Sequence, residues 1–139
     1  MTGYSFKTNP SIQDLEDIAD WMRIESKTGN LNSILKAWKK EELILINQKD
    51  SILGFCAFDI NGNFGKINVL EIKENQRGQK LGKILVEYIL QKMKAKNVER
   101  IEIFVPNSNF KSFWEKLGFK EIFKDYDDSR LDMYINFNI

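Results

Sequence analysis

Apolar residues recur at intervals of three and four positions in four parts of the chain, which predicts four helices. The first begins at a capping box, in which Ser11 and Asp14 pair reciprocally to close the start of a helix. The predicted helices cover residues 12–22, 31–40, 81–93 and 110–117. In the last helix one side carries four large apolar residues, which we expect to be mostly core: Phe110, Phe113, Trp114 and Leu117.

Shorter apolar runs between turn residues predict strands. They cover residues 4–8, a hairpin over 42–60, then 65–72, 100–105, and a terminal hairpin made of 119–126 and 130–139. The final strand alternates strictly, with Leu131, Met133, Ile135, Phe137 and Ile139 on one face. The element order β-α-α-β-β-β-α-β-α-β-β predicts an α/β (α+β) fold with a single mixed, mostly antiparallel sheet flanked by helices.

A length of 139 residues is that of one ordinary domain, so we expect a single domain over 1–139. The net charge of +1 gives no overall attraction for nucleic acid or for an anionic membrane, and we expect neither as a partner. The apolar runs are too short to cross a bilayer, and no export signal is visible, so we expect a cytoplasmic protein. The single Cys56 is expected to pack as a small hydrophobe.

The chain contains no histidine, which removes histidine metal sites and the Ser-His and Cys-His nucleophile systems. The residues that suggest a binding site lie instead at 76–83, QRGQKLGK, between a predicted strand and a predicted helix. The first turn of a helix leaves about four N–H groups unpaired and carries roughly half a positive charge. With Arg77, Lys80 and Lys83 beside it, this turn suits a diphosphate. The alternative is an ordinary solvated turn at the start of a helix.

This turn lacks the glycine spacing of P-loops and of dinucleotide-binding turns. It resembles the acyl-CoA-binding turn of the Gcn5-related N-acetyltransferase (GNAT) superfamily, with Arg77 and Gly82 at the first and last positions of the family pattern. Lys80 stands where the middle glycine of that pattern is usual. A second stretch, VPNSNFKSFWEKLGF, resembles the later family motif, in which an asparagine contacts the pantetheine arm. Nearly the whole chain is compatible with the resemblance, best from 64 to 119.

The resemblance implies that acetyl-CoA is the cosubstrate and that its acetyl group passes directly to a primary amine of a small molecule or protein. It implies that a backbone N–H near Ile72 polarises the thioester carbonyl. The implied cofactor-binding residues are Ile72, Lys73, Arg77, Gly78, Gln79, Lys80, Leu81, Gly82, Lys83, Asn109 and Trp114. Trp114 falls where many members have a tyrosine that returns a proton to the leaving thiolate, and indole cannot do so at neutral pH.

The general base is harder to assign. The family positions for such a group fall near Lys66, Asn68 and Phe104, and none of these is a usual base. The remaining candidates for catalytic acid or base are the nearby carboxylates and two tyrosines of the terminal hairpin: Glu71, Glu102, Tyr126 and Tyr134.

Two other functions stay open from the sequence. Trp114 and the missing base favour a non-catalytic acyl-CoA-binding or interaction module. The cations from Arg77 to Lys83 would also suit a small nucleic-acid-binding domain, whose binding would weaken with salt. The acceptor amine is expected to be selected by the first helices and the terminal hairpin. A homodimer, paired through the strictly alternating last strand, is a further hypothesis.

Overall fold

The described residues of the computed structural model, 3–78, 80–105, 108–123 and 131–137, form one sheet with helices on both faces. The strands are β1 (Tyr4–Lys7), β2 (Leu43–Gln48), β3 (Ser51–Asn61), β4 (Phe64–Ile72), β5 (Arg100–Val105), β6 (Lys120–Glu121) and β7 (Leu131–Asn136). The helices are α1 (Ile12–Ile24), α2 (Leu31–Lys39), α3 (Leu81–Ala95) and α4 (Lys111–Lys116). This order and the α/β class confirm the fold predicted from the sequence.

The strands lie in the order β1-β2-β3-β4-β5-β7-β6. All neighbours are antiparallel except β4 and β5, which are parallel because α3 crosses over between them. The terminal hairpin is confirmed by the pairing of β6 with β7, although residues 124–130 lie outside the described part of the chain. Because β7 lies between β5 and β6, it is not the open edge on which the homodimer hypothesis relied.

Two apolar layers cover the sheet, one on each face. On the α3 face, Leu85, Ile89 and Met93 of the helix pack in one cluster with Ile101 and Met133 of the strands. On the opposite α1–α2 face, a second cluster contains the following residues from the first two helices and the strands below them: Ile18, Met22, Ile34, Leu43 and Phe55. The sheet is therefore covered on both faces. The candidate site described below lies between the ends of strands β4 and β5.

The start of α1 is closed by the predicted capping box. The Asp14 N–H donates to Ser11 Oγ at 3.1 Å, and the Ser11 N–H donates to Asp14 Oδ2 at 2.8 Å. Lys7 Nζ lies 2.6 Å from the same carboxylate. Burial alone would raise the pKa of Asp14, but the hydrogen bonds from Lys7 and Ser11 hold it below its ordinary value. The capping box therefore also ties β1 to α1.

The predicted core of the last helix is corrected at one residue. Trp114 is buried and Phe113 is half-buried, as expected, but Phe110 is 56% exposed. The reason is that α4 begins at Lys111, so Phe110 belongs to the preceding single turn of 3-10 helix, Ser108–Phe110, and does not share the inward side of α4. This exposed ring stands beside the site described below.

Cys56 is fully buried in β3, and burial raises the pKa of its thiol to about 12. The thiol is therefore protonated at neutral pH, which confirms its predicted role as a packed apolar group. Among the described residues, none of the helices is both long and apolar enough to span a bilayer.

Candidate active site

Strand β4 contains a β-bulge at Asn68. Its neighbours Ile67 and Val69 pair with the consecutive residues Phe58 and Ala57 of β3, so Asn68 is an extra residue in β4. A bulge bends and twists the strand that carries it. The parallel pairing with β5 ends at Ile67, one residue before the bulge. Beyond it the carboxyl ends of β4 and β5 separate.

The bulge also changes which face each side chain of β4 occupies. Before it, Ile67 packs in the cluster on the α3 face. After it, Val69 packs on the α1–α2 face, whereas Leu70 and Ile72 pack against the α3 cluster. Glu71 therefore points to the α1–α2 face, because successive side chains of a strand alternate. This placement brings its carboxylate to the separated ends of the strands.

A cavity of about 810 Å³ occupies the gap between β4 and β5. Its walls come from the end of β4, the start of α3, the end of β5 and the segment after α1. The volume is within the range of about 300–1,000 Å³ that is usual for small-ligand sites. The cavity opens at the carboxyl ends of two parallel strands, where α/β sheets commonly place ligands.

One wall of the cavity is the turn that precedes α3. Gly78 has φ of 87° and Lys80 has φ of 61°, so both are left-handed. The first α-helical hydrogen bond runs from the Ile84 N–H to the Lys80 carbonyl at 3.1 Å. The N–H groups of Leu81, Gly82 and Lys83 therefore make no α-helical hydrogen bond to a carbonyl one turn earlier, as expected at the start of a helix. The wall offers backbone donors beside cationic side chains.

The edge of β4 that faces the cavity carries the amide of Ile72. The next amide, that of Lys73, donates to the Leu53 carbonyl of β3 at 2.9 Å. Since successive amides of an extended strand point to opposite edges, the Ile72 N–H points away from β3, toward the gap. The close approach of β3 here depends on Gly54, where an added Cβ would lie 2.7 Å from the Glu71 carbonyl oxygen.

The opposite wall, which we call the α1–α2 wall, is built from side chains: Lys27, Asn30, Glu71 and Phe104. Lys27 Nζ donates to Glu71 Oε1 at 2.7 Å and lies 3.1 Å from Glu25 Oε1. Burial disfavours the charge of Lys27, yet these two hydrogen bonds outweigh it and hold the pKa of the ammonium above its ordinary value. Lys27 is therefore charged at neutral pH, and it binds the Glu71 carboxylate.

Glu25 links the two walls. Its Oε2 accepts a hydrogen bond from the Trp21 indole, which chiefly holds the pKa of Glu25 below its ordinary value. Its Oε1 lies 3.6 Å from the Arg77 guanidinium. Arg77 Nε in turn donates to the Ile72 carbonyl at 3.1 Å. The segment after α1 is thus connected by charges to the turn before α3.

Most residues predicted for cofactor binding lie on this cavity: Ile72, Arg77, Gly78, Lys80, Leu81, Gly82, Lys83 and Trp114. Lys73 lies outside it, with its Nζ over the Trp21 ring at 5.4 Å from the centroid. Asn109 is exposed in the turn before α4, where the neighbouring Phe110 lines the cavity. Gln79 lies outside the described residues.

The four candidate acid or base residues differ in their position relative to the cavity. Glu71 lines the cavity. Glu102 does not, and its carboxylate is held by Arg100 Nε at 2.9 Å. Tyr134 is paired with Glu102 across β5 and β7, and the Arg100 guanidinium lies 4.2 Å from its ring centroid. Tyr126 lies outside the described residues. The structure therefore brings only Glu71 of the three described candidates to the cavity.

Sequence reasoning missed two residues of the α1–α2 wall, Lys27 and Asn30. They follow α1 in a segment whose composition is that of an ordinary polar connection. The partner of Lys27, Glu71, is 44 positions away in the sequence, so no local pattern could indicate this pair. Phe104 was noted only as the position of a missing family glutamate, and its exposed ring was not anticipated.

The family model described as Acetyltransferase (GNAT) family matches residues 12–119. This range is more than half of the chain, and it includes the bulge, the turn and the short last helix. The protein therefore belongs to the GNAT acetyltransferase family. A search of curated protein sequences finds no match.

Solved structures with the same fold include PaiA N-acetyltransferase from Thermoplasma acidophilum in complex with coenzyme A. It is 24% identical, with a TM-score of 0.77 over 98% of this chain and 100% of that chain. N-acetylglutamate synthase from Neisseria gonorrhoeae, complexed with coenzyme A and N-acetyl-glutamate, is 15% identical, with a TM-score of 0.78 over 100% of this chain and 36% of that chain. The ribosomal-protein-S18-alanine N-acetyltransferase from Escherichia coli is 14% identical, with a TM-score of 0.75 over 98% of this chain and 95% of that chain. At these identities the likeness shows the fold.

Proposed function

We propose that the protein binds acetyl-CoA in the cavity and transfers the acetyl group directly to a primary amine. One observation carries the proposal: the bulge at Asn68 separates β4 from β5 and leaves the Ile72 amide facing a cavity that also meets the start of α3. Family membership supports it. The two relatives named above that were crystallised with coenzyme A support the choice of cosubstrate.

The turn before α3 fits the diphosphate of coenzyme A. The amides of Leu81, Gly82 and Lys83 stand at the positive end of a helix of 15 residues, and Lys80 and Lys83 flank it. Gly82 faces the Phe113 ring, since a Cβ there would make an ordinary contact with it at 3.4 Å. We assign the pantetheine arm to the gap between β4 and β5, with Trp114 forming part of the wall.

The thioester supplies an acetyl group that is activated for attack by an amine. The Ile72 N–H donates a hydrogen bond to the carbonyl oxygen as negative charge develops there. Glu71 accepts the proton that the attacking amine loses as its nitrogen forms the new C–N bond. The C–S bond breaks, and the thiolate takes its proton from water, because the indole at Trp114 cannot supply one. No covalent bond to the protein forms.

The pair of Glu71 with Lys27 suits an amine that arrives as an ammonium ion. Free alkylamines have a pKa of about 10.4, so the acceptor must lose a proton in the site. Lys27 Nζ lies 2.7 Å from Glu71 Oε1 and holds this carboxylate at the mouth of the cavity. Glu71 can then attract the ammonium and take its first proton, which passes to water at the mouth of the cavity, so that the carboxylate is free to accept the second proton during attack.

Two measurements test the proposal. The first is thermal unfolding with and without acetyl-CoA, with ATP as the control. A ligand at 100 times its Kd stabilises by about 2.7 kcal/mol, so Tm is expected to rise by several degrees with acetyl-CoA alone. The second is release of free thiol from acetyl-CoA in the presence of a panel of primary amines.

The two results separate the alternatives. A rise in Tm with thiol release above background supports the transferase. A rise in Tm without release for any amine supports the non-catalytic acyl-CoA-binding module, which the buried Trp114 at the tyrosine position favours. Absence of any effect of acetyl-CoA on Tm contradicts both.

A further inference from the structure

Three cations of the turn before α3 line the cavity, and they differ in their countercharges. These cations are Arg77, Lys80 and Lys83. The Arg77 guanidinium lies 3.6 Å from Glu25 Oε1, whereas within the described part of the chain neither Lys80 nor Lys83 forms an ion pair. One of the three positive charges beside the proposed position of the diphosphate is therefore already matched by a carboxylate of the protein.

Two groups besides Arg77 hold Glu25 in this place. The indole of the buried Trp21 donates to Glu25 Oε2, and Lys27 Nζ lies 3.1 Å from Glu25 Oε1. Trp21 packs in turn against the Phe55 ring, with 5.3 Å between the ring centroids. The hydrogen bond from Trp21 chiefly holds the pKa of Glu25 below its ordinary value, against the opposing effect of burial. The carboxylate is therefore charged at neutral pH and fixed beside the turn.

A single oxygen of Glu25, Oε1, serves both Lys27 and Arg77. Lys27 is the nearer cation, and its Nζ is also held by Glu71 Oε1 at 2.7 Å. Arg77 is the more distant cation, and its side chain is half-exposed to solvent. Long and exposed ion pairs contribute little stability, so Arg77 can exchange Glu25 for an anion of higher charge at little cost. A diphosphate is such an anion, and guanidinium groups bind phosphate oxygens well.

We propose that Glu25 competes with the diphosphate of coenzyme A for Arg77 and thereby weakens the binding of this ligand. This inference rests on the proposed function, which assigns the diphosphate to the turn before α3. In the free protein, Oε1 of Glu25 is shared by Lys27 and Arg77. Coenzyme A takes Arg77, and Oε1 then serves Lys27 alone. Glu25 is thus a positioning residue that acts through Arg77. It favours the release of coenzyme A after transfer, because affinity differences within one site appear mainly in the dissociation rate.

The test is the Kd of coenzyme A, measured by calorimetry with the full chain at low and at high salt. Glu25→Gln keeps an oxygen for the Trp21 indole and removes the charge. We expect it to lower Kd about two- to fivefold at low salt, the usual size of a partly exposed ion pair. The gain should shrink at high salt, because salt screens exposed charges. Arg77→Gln should raise Kd, and adding Glu25→Gln to that variant should change Kd by less than about 1.5-fold, since the competition is then removed.

Glu16→Gln is the matched control, since it removes one carboxylate from the exposed side of α1, and its Kd should equal that of the parent. Unchanged or weaker binding by Glu25→Gln would overturn the inference, and weaker binding is what a purely structural role of Glu25 predicts. The same gain in Glu16→Gln, or an undiminished gain in the Arg77→Gln background, would also overturn it, since either indicates a general effect of net charge. If the parent does not bind coenzyme A, the proposed function fails. If the parent binds it and only the variants depart from these expectations, the inference alone fails.

Discussion

The two walls of the cavity are formed by different kinds of chemical group. The turn before α3 uses backbone: consecutive amides from Leu81 to Lys83, made available by a helix start and left-handed residues just before it. The α1–α2 wall uses side chains that come from distant parts of the sequence, such as Lys27 with Glu71. The turn before α3 presents a backbone geometry that does not depend on particular side chains. The chemistry of the α1–α2 wall changes whenever one of its side chains is replaced.

This difference bears on how the fold accommodates sequence divergence. The structural relatives named above keep the fold at 14–24% identity. A backbone site tolerates such divergence, since amide groups are common to nearly all residues. Under the proposed function, we expect the α1–α2 wall to select the acceptor, and the following experiments separate the two walls.

The largest expected effect is at the α1–α2 wall. Glu71→Gln should lower kcat by about 100- to 10,000-fold, the usual contribution of a positioned base, because the amide cannot accept the proton of the amine. The affinity for coenzyme A, measured by calorimetry, should stay within about twofold, since Glu71 is not part of the turn. Glu102→Gln is the matched control, and its kcat should be close to that of the parent. Equal losses in both variants would show that neither carboxylate is the base.

The next effect belongs to the turn. Gly82→Val should weaken coenzyme A binding by about tenfold or more, because its methyl groups would stand in the cavity beside the amides assigned to the diphosphate. Gly82→Ala is the control, since its Cβ would make ordinary contacts at 3.4 Å with Phe113 and 3.7 Å with Ile72. Calorimetry with coenzyme A measures both variants. If Gly82→Val binds like the parent, the diphosphate does not approach this helix start.

A third experiment tests the charge pair of the α1–α2 wall. Lys27 Nζ holds the Glu71 carboxylate at 2.7 Å, so Lys27→Met should leave the base less well positioned and lower kcat by about tenfold. The affinity for coenzyme A, measured by calorimetry, should stay within about twofold of the parent, since Lys27 is not part of the turn before α3. Lys39→Met, on the exposed side of α2, is the control. An equal loss of kcat and of coenzyme A affinity would indicate that Lys27 only supports the structure.

The smallest expected effect concerns Lys80, which adopts a left-handed conformation where the family pattern has glycine. Lys80→Gly should be more stable to urea than Lys80→Ala by about 1 kcal/mol, since only the glycine variant relieves the left-handed strain. Both variants lose the same charge, so their affinities for coenzyme A should fall together. An equal stability of the two variants would mean that the turn relaxes around residue 80.

The sequence predicted the features that depend on neighbouring residues. The capping box of Ser11 and Asp14, the start of α3 at Leu81 and the single inward face of β7 all follow from local spacing. The bulge did not follow, because residues 65–72 read as one continuous apolar strand with nothing to mark Asn68 as extra. A bulge is defined by the partner strand, and its position is therefore a property of the assembled sheet.

The α1–α2 wall was unpredictable for a related reason. Glu71 was one of several carboxylates near the turn, and Glu102 occupies the same face of the sheet. Glu71 differs because it stands beyond the bulge and lines the cavity, whereas Glu102 stands near the start of β5 and is held by Arg100. The start of α4 at Lys111, which exposes Phe110, likewise depends on how the preceding turn is packed. The turn before α3 could be located from the sequence. The residues of the α1–α2 wall could be identified only once the register of the strands was known.

The extra residue at position 68 has a consequence for how this chain tolerates insertions and deletions. Loss of Asn68 alone would leave Ile67 and Val69 opposite Phe58 and Ala57, so β4 would alternate without interruption and the side chains from Val69 to Ile72 would keep their faces. The strand would lose the bend that a bulge introduces, and the gap between β4 and β5 would be expected to narrow. A deletion of one codon would thus preserve the direction of Glu71 and remove the space that its carboxylate lines.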